Sequence, residues 1–123
     1  MMEESRLSTT VQKILGLLAI NILFASSASS EPSNHVIEIK GFAYSPASLV
    51  VKPGDSVTWV NKDIVSHTST EVENDTGSAA ASTTWTTDEI SAGNEVSLTI
   101  VPTMGQEYFC KYHPAMKASL IIE

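Results

Sequence analysis

After residue 30 the chain alternates short β-rich runs with turn sequences, and no segment carries a helical stripe of apolar residues. Residues 95–101 show the pattern clearly, because Val96, Leu98 and Ile100 alternate with polar residues and therefore fall on one face of a strand. The KPGD sequence at residues 52–55 is a strong turn signal between two such runs. About seven short strands at roughly even spacing predict an all-β sandwich or barrel.

The individual strands can be placed from the same pattern. We expect strands near residues 36–39, 49–51, 56–61, 64–70, 95–101, 106–110 and 118–122. Residues 41–46 are predicted to form a turn that carries two aromatic side chains. Residues 71–93 are rich in Ser, Thr, Ala and Gly, so we expect a long loop there, with an edge strand near residues 85–87.

The first 30 residues have the layout of a secretory signal peptide. Arg6 and Lys13 precede an apolar run at residues 14–25, and small residues follow at 26–30. The run has about 12 residues, whereas a membrane-spanning helix needs roughly 20. We therefore predict a cleaved signal peptide at 1–30, a domain at 31–123, and export to the periplasm or another extracytoplasmic space. A short buried helix, or a retained leader that attaches the chain to a membrane, is the alternative.

The charge and the cysteine content of the predicted domain limit the classes of function that it can have. Residues 31–123 contain five basic and 12 acidic residues, so the formal net charge stays at −7. This acidity disfavours nucleic acid as a partner, because phosphate binding depends on Lys and Arg. A lone cysteine cannot form an internal disulfide, and in an exported protein it needs protection from oxidation. Burial and metal ligation both supply that protection.

The residues with the strongest chemical signal lie near the C-terminus. Cys110, His113 and Met116 follow one another at the spacing C-x2-H-x2-M, between two predicted strands. A fourth candidate, His67, lies 43 residues earlier, after the strand at 56–61. Taken singly, each is more often a packing or surface residue. Together, one thiolate, two imidazoles and one thioether form a soft ligand set that suits copper. Zinc favours Cys, His and carboxylate ligands, and iron–sulfur clusters need more cysteines.

Three sequence stretches also resemble a known family. They are V-x-K-P-G-D-x-V-x-W-x-N at residues 50–61, D-x3-H-T at 63–68, and C-x2-H-P-x-M at 110–116. Together they resemble the cupredoxins, the small blue copper proteins of the amicyanin and plastocyanin type. The resemblance extends over residues 35–123. It implies a Greek-key β-sandwich of about seven to eight strands with one type 1 copper ion at one end.

The resemblance also implies roles for the candidate residues. His67, Cys110 and His113 would be the strong ligands of the copper ion, and Met116 the weak axial ligand.

Other residues would support this ligand set. Asn61 would lie behind the site, where its backbone would tie the Cys110 region to the other ligand loop. Pro114, which has no N–H, would leave the rim apolar, and the exposed edge formed by His113, Pro114 and Ala115 would be the electron port. Two departures from the family concern the partner surface. Gln106 stands where relatives often have an aromatic residue, and the segment 71–93 is long and polar.

The function implied is that of a one-electron carrier outside the cytoplasm. Such a monomer would dock transiently with a redox protein donor and acceptor. The alternatives are a copper-binding protein for Cu(I) storage or delivery, and a metal-free interaction module. We do not expect an enzyme, because four protein ligands leave no open position on the metal and no G-x-S-x-G sequence is present.

Overall fold

A computed structural model describes residues 30–73 and 84–123. The predicted signal peptide and residues 74–83 of the predicted long loop lie outside this part of the chain. Within it, no helix is long and apolar enough to cross a membrane.

The described residues form eight strands in two four-stranded sheets. One sheet has the order β2-β1-β4-β6 and the other the order β3-β8-β7-β5. This arrangement confirms the predicted all-β sandwich and its strand number. The strands are β1 Asn34–Lys40, β2 Ala43–Ser45, β3 Ser48–Val51, β4 Ser56–Asn61, β5 Thr70–Glu71, β6 Glu95–Thr99, β7 Glu107–Phe109 and β8 Lys117–Ile122.

The alternating side chains of β4 explain why the two sheets pack together. Val57, Trp59 and Asn61 are buried, whereas the residues between them are only half-buried. Trp59 packs edge-to-face against Tyr108 of the opposite sheet, with ring centroids 5.8 Å apart, and lies 5.7 Å from Trp85. A fully buried large apolar side chain contributes about 1.5–3 kcal/mol, so this aromatic group is a major part of the core.

The centre of the first sheet is a parallel pair, because β1 runs alongside β4 from Asn34↔Ser56 to Ile39↔Asn61. The buried carboxylate of Asp55 lies at one end of this pair of strands. It accepts hydrogen bonds from the backbone N–H of Ser33 (2.8 Å) and of Lys52 (3.0 Å), and bonds Nε2 of His35 (2.9 Å). These bonds lower the pKa of Asp55 from 3.8 to about 2.

Three predicted elements differ from the structure. The edge strand expected near residues 85–87 is only an isolated bridge between Thr86 and Thr70. Residues 41–46 contain the short strand β2, which pairs with β1 through a turn at Gly41 and Phe42. The strand expected at 64–70 was wrong: only Thr70–Glu71 is a strand, and His67 forms an isolated bridge with Ile90. Polar side chains after β4 bond the backbone locally, and this favours a turn over an extended ladder.

The β7–β8 hairpin carries the C-x2-H-x2-M motif on its loop, as predicted. Gln106 holds the far end of this hairpin, since its carbonyl accepts from the N–H of Leu120 (2.7 Å) and its side-chain Oε1 from that of Ile122 (3.0 Å). These two bonds support the register of β8 against β7.

Candidate metal centre

The loop between β7 and β8 is held by its own backbone. The N–H of Cys110 donates to the carbonyl of Met116 (3.1 Å), and the N–H of Met116 donates to that of His113 (2.9 Å). A third bond joins the N–H of His113 to the carbonyl of Cys110 (3.2 Å). Cys110 and Met116 are buried and His113 is half-buried. Three soft donor residues thus converge from one tightly closed loop.

His67 reaches the same end of the sandwich from the segment between β4 and β5. Its backbone exchanges two hydrogen bonds with Ile90, of 3.1 and 2.8 Å, and its side chain is fully buried. The side-chain amide of Asn61 donates to the carbonyls of Val65 (2.8 Å) and Ile90 (2.9 Å). Through these two bonds, Asn61 holds the segment that carries His67 in place.

The donor atoms of three residues form a compact triangle. Sγ of Cys110 lies 3.7 Å from Nδ1 of His67 and 3.6 Å from Nδ1 of His113, and the two nitrogen atoms are 3.2 Å apart. The point in their plane that is equidistant from all three lies about 2.0 Å from each atom, the usual length of a metal–imidazole bond and slightly shorter than a metal–thiolate bond. The residues present fit a transition-metal ion.

Asp63, the first residue of the D-x3-H-T stretch, orients His67, a role that the sequence analysis did not assign to it. Oδ2 of Asp63 lies 2.8 Å from Nε2 of His67, and the same carboxylate accepts from the backbone N–H of Gly41 (2.7 Å) and Phe42 (3.1 Å). Although burial pulls the pKa of Asp63 upward, the bonds from Phe42, Gly41 and His67 hold it below its ordinary value. With its Nε2 proton directed at Asp63, His67 presents the Nδ1 lone pair to the centre of the triangle.

Thr68 connects the segment that carries His67 to the segment that carries Cys110. The resemblance implied this role for the backbone of Asn61. The backbone N–H of Thr68 donates to Sγ of Cys110 (3.4 Å), and its hydroxyl oxygen accepts from the N–H of Lys111 (2.9 Å). Its carbonyl accepts a hydrogen bond from the hydroxyl of Tyr44. The sulfur is therefore buried and receives a hydrogen bond, two conditions that tune a metal–thiolate site.

The rim of the site is apolar and exposed. Pro114 and Ala115 are exposed beside the half-buried His113, and Tyr112, the residue before His113, is exposed as well. Phe42 also lies at this rim, with its ring centroid 5.6 Å from that of His67 and 4.8 Å from that of His113.

A family comparison agrees with this geometry. The sequence pattern of the family described as "Copper binding proteins, plastocyanin/azurin family" matches residues 32–123. The chain belongs to this family. Copper is accordingly its cofactor, held in a type 1 site, and the resemblance of the sequence to the cupredoxins is confirmed.

Individual relatives place this cupredoxin near the amicyanins. Amicyanin from Paracoccus denitrificans is 31% identical over 88 residues, which cover 72% of this chain and 64% of that protein's length. The structure of a reduced amicyanin variant is similar with a TM-score of 0.59 at 28% identity, covering 80% of this chain and 88% of that one. A copper-containing nitrite reductase from Thermus scotoductus shares the fold at 20% identity and a TM-score of 0.59, over 76% of this chain and 23% of its own.

Proposed function

We propose that this cupredoxin is a blue copper protein that carries single electrons between redox proteins. His67, Cys110 and His113 would hold the copper ion as strong ligands, and Met116 would be a fourth, weak ligand. The observation that carries the proposal is the triangle of donor atoms, because one thiolate sulfur and two imidazole nitrogens lie within 3.7 Å of one another. Two imidazoles and a thiolate with a distant thioether form the ligand set of blue copper sites.

Copper bound by these residues supplies a Cu(II)/Cu(I) couple. The chain supplies donors that are held in place by protein hydrogen bonds. Asp63 fixes the ring of His67, Thr68 bonds the sulfur of Cys110, and the loop closes on itself at Met116. Because these contacts do not depend on the oxidation state, the ligands need to move little when an electron arrives or leaves.

The rim supplies the route for the electron. His113 is half-buried between the metal centre and solvent, and Pro114 and Ala115 expose apolar surface next to it. Pro114 has no N–H, so no backbone donor there must be desolvated when a partner approaches. This port suits a small, short-lived contact between a monomeric carrier and its redox partners.

We do not expect catalysis at the metal, because four protein ligands would leave no open position for a substrate. The relatives support a carrier, because amicyanin structures are known in oxidised and reduced states, including a Cu(I) form. The signal-peptide pattern at residues 1–30 supports export, so we place the protein in the periplasm or another space outside the cytoplasm.

A protein for Cu(I) storage or delivery is the second candidate, since the same donors bind Cu(I). Delivery requires that an acceptor replace the ligands one at a time. His67 and Cys110 are both 0% exposed, and only His113 reaches the surface. This burial favours a carrier that retains its metal.

The test is reconstitution of the purified chain with Cu(II), followed by visible absorption and electron paramagnetic resonance spectroscopy. We expect an intense thiolate-to-copper absorption band, and a colourless copper protein would instead support delivery. Metal analysis would expose a metal-free interaction module. Cys110→Ser should abolish the colour. Met116→Leu should keep it while shifting the reduction potential, and Met104→Leu is the matched control, because Met104 packs against the core.

A further inference from the structure

We propose that Phe42 is a functional part of the metal centre, where its ring covers the two histidine ligands and slows the release of the metal. This inference rests on the copper site proposed above and deepens it. It concerns the turn between β1 and β2, which contributes no metal ligand.

The ring of Phe42 lies in an unusual place for an exposed apolar side chain. Its side chain is 52% exposed, yet its ring meets those of His67 and His113 edge-to-face, at interplanar angles of 87° and 83°. An edge-to-face contact is the favourable arrangement for two aromatic rings. One exposed ring therefore touches both imidazoles of the site at once.

The backbone of Phe42 shows that this position is imposed by its surroundings. Phe42 has φ 57°, in the left-handed region that glycine adopts freely and a bulky residue disfavours. The carboxylate of Asp63 compensates, since it accepts from the N–H groups of Gly41 and Phe42 while it also bonds His67. The same side chain thus holds the covering ring and one of the rings that it covers.

Glycine would adopt the left-handed backbone of this turn at a lower energetic cost than phenylalanine does. A half-exposed apolar ring gains little from its solvent-facing side, so its contacts with the histidine rings account for its presence. The other strong ligands, His67 and Cys110, are fully buried. Loss of the metal must therefore begin at His113, and the ring of Phe42 lies 4.8 Å from that imidazole. Phe42 excludes water and competing ligands from the imidazole that must detach first.

The decisive variant is Phe42→Gly, because glycine removes the ring and also relieves the left-handed backbone. The copper(I) protein is mixed with an excess of the chelator bicinchoninate, and the appearance of the coloured chelate gives the rate of release. We expect release about tenfold faster than from the wild type, since each aromatic pair contributes a few-fold. Phe42→Tyr retains the ring and should release copper at the wild-type rate.

Two further measurements show whether a change in release comes from the loss of the Phe42 ring. Val50→Ala changes an exposed apolar residue on β3 and should leave release unchanged. In the metal-free protein, Phe42→Leu should shift the nuclear magnetic resonance signals of the His113 ring protons, because it removes the ring current. Equal release from Phe42→Gly and wild type, or unchanged His113 signals, would overturn the proposal. A wild-type chain that binds copper without the blue band would instead refute the carrier function.

Discussion

Asp63 and His67 form a carboxylate–imidazole pair behind the metal centre, with 2.8 Å between Oδ2 and Nε2. The two residues are four positions apart in a segment without regular secondary structure. The pair directs Nδ1 of His67 at the other two donors.

The first prediction concerns this pair. Asp63→Asn keeps the shape of the side chain but removes the charge that makes His67 electron-rich. We expect the affinity for Cu(II) to fall about 10–100-fold, the usual effect of losing such a partner. The reduction potential should rise, because the oxidised metal loses more stabilisation than the reduced one. Chelator competition and voltammetry measure the two quantities. Glu38→Gln removes an exposed charge paired with Lys62 and should change neither.

The second prediction tests the connection between the ligand segments. Thr68→Val keeps the backbone N–H that bonds Cys110 but removes the hydroxyl that accepts from Lys111. We expect the free energy of unfolding to fall by about 1–3 kcal/mol, because the N–H of Lys111 loses its partner. Chemical denaturation measures this loss. Thr58→Val is the control, since the hydroxyl of Thr58 bonds Ser97 on an exposed face. Equal losses in the two variants would contradict the role of Thr68.

The third prediction concerns the close approach of Gly105 to Glu71. A Cβ atom added at Gly105 would lie 2.0 Å from Oε1 and 2.7 Å from Cγ of Glu71. Glu71 cannot easily move, because it is buried and its Oε2 accepts from the N–H of Trp85 (3.1 Å). Gly105→Ala should therefore lower the free energy of unfolding by about 1–3 kcal/mol. In a Glu71→Ala background the same change should cost less, and strictly additive losses would refute this explanation.

The fourth prediction is a pH dependence. The folded chain lowers the pKa of Asp55 from 3.8 to about 2, so the unfolded chain takes up a proton first as the pH falls. The stabilisation by ionised Asp55 is complete above the unfolded value and is lost between about pH 4 and pH 2. Denaturation of wild type and Asp55→Asn at pH 6 and pH 2.5 should show a stability difference that narrows in acid. A difference that does not depend on pH would rule this out.

Alternation and turn signals were sufficient to predict the sandwich. The strand expected at residues 56–61 is β4, and the ligand motif lies on the β7–β8 loop, as its spacing indicated. The strand expected at 64–70 was wrong because side-chain hydrogen bonds determine the backbone conformation of that segment. The side chain of Asn61 bonds the N–H of Asp63 and the carbonyl of Val65, and these local bonds compete with extended pairing.

The rest of the site was harder to predict because it depends on contacts between distant segments. A hydrogen bond donated by a backbone N–H, such as the bond from Thr68 to Sγ of Cys110, does not depend on residue type and therefore cannot be recognised in the sequence. Phe42 meets His113 only after two sheets have packed. Asp63 did offer a signal, because a metal-binding histidine commonly donates its second nitrogen to a carboxylate, and Asp63 is close in sequence.

Strand β8 lies between β3 and β7 in its sheet, although it follows all the others along the chain. A ribosome that has synthesised the chain as far as residue 116 has already delivered all four candidate ligands. At that stage β3 still lacks the neighbour with which it pairs from Ser48↔Ser119 to Val51↔Ile122. Such long-range pairing forms late. The scaffold around the Cys110 thiol is therefore complete only after β8, the last strand along the chain, has paired with both β3 and β7.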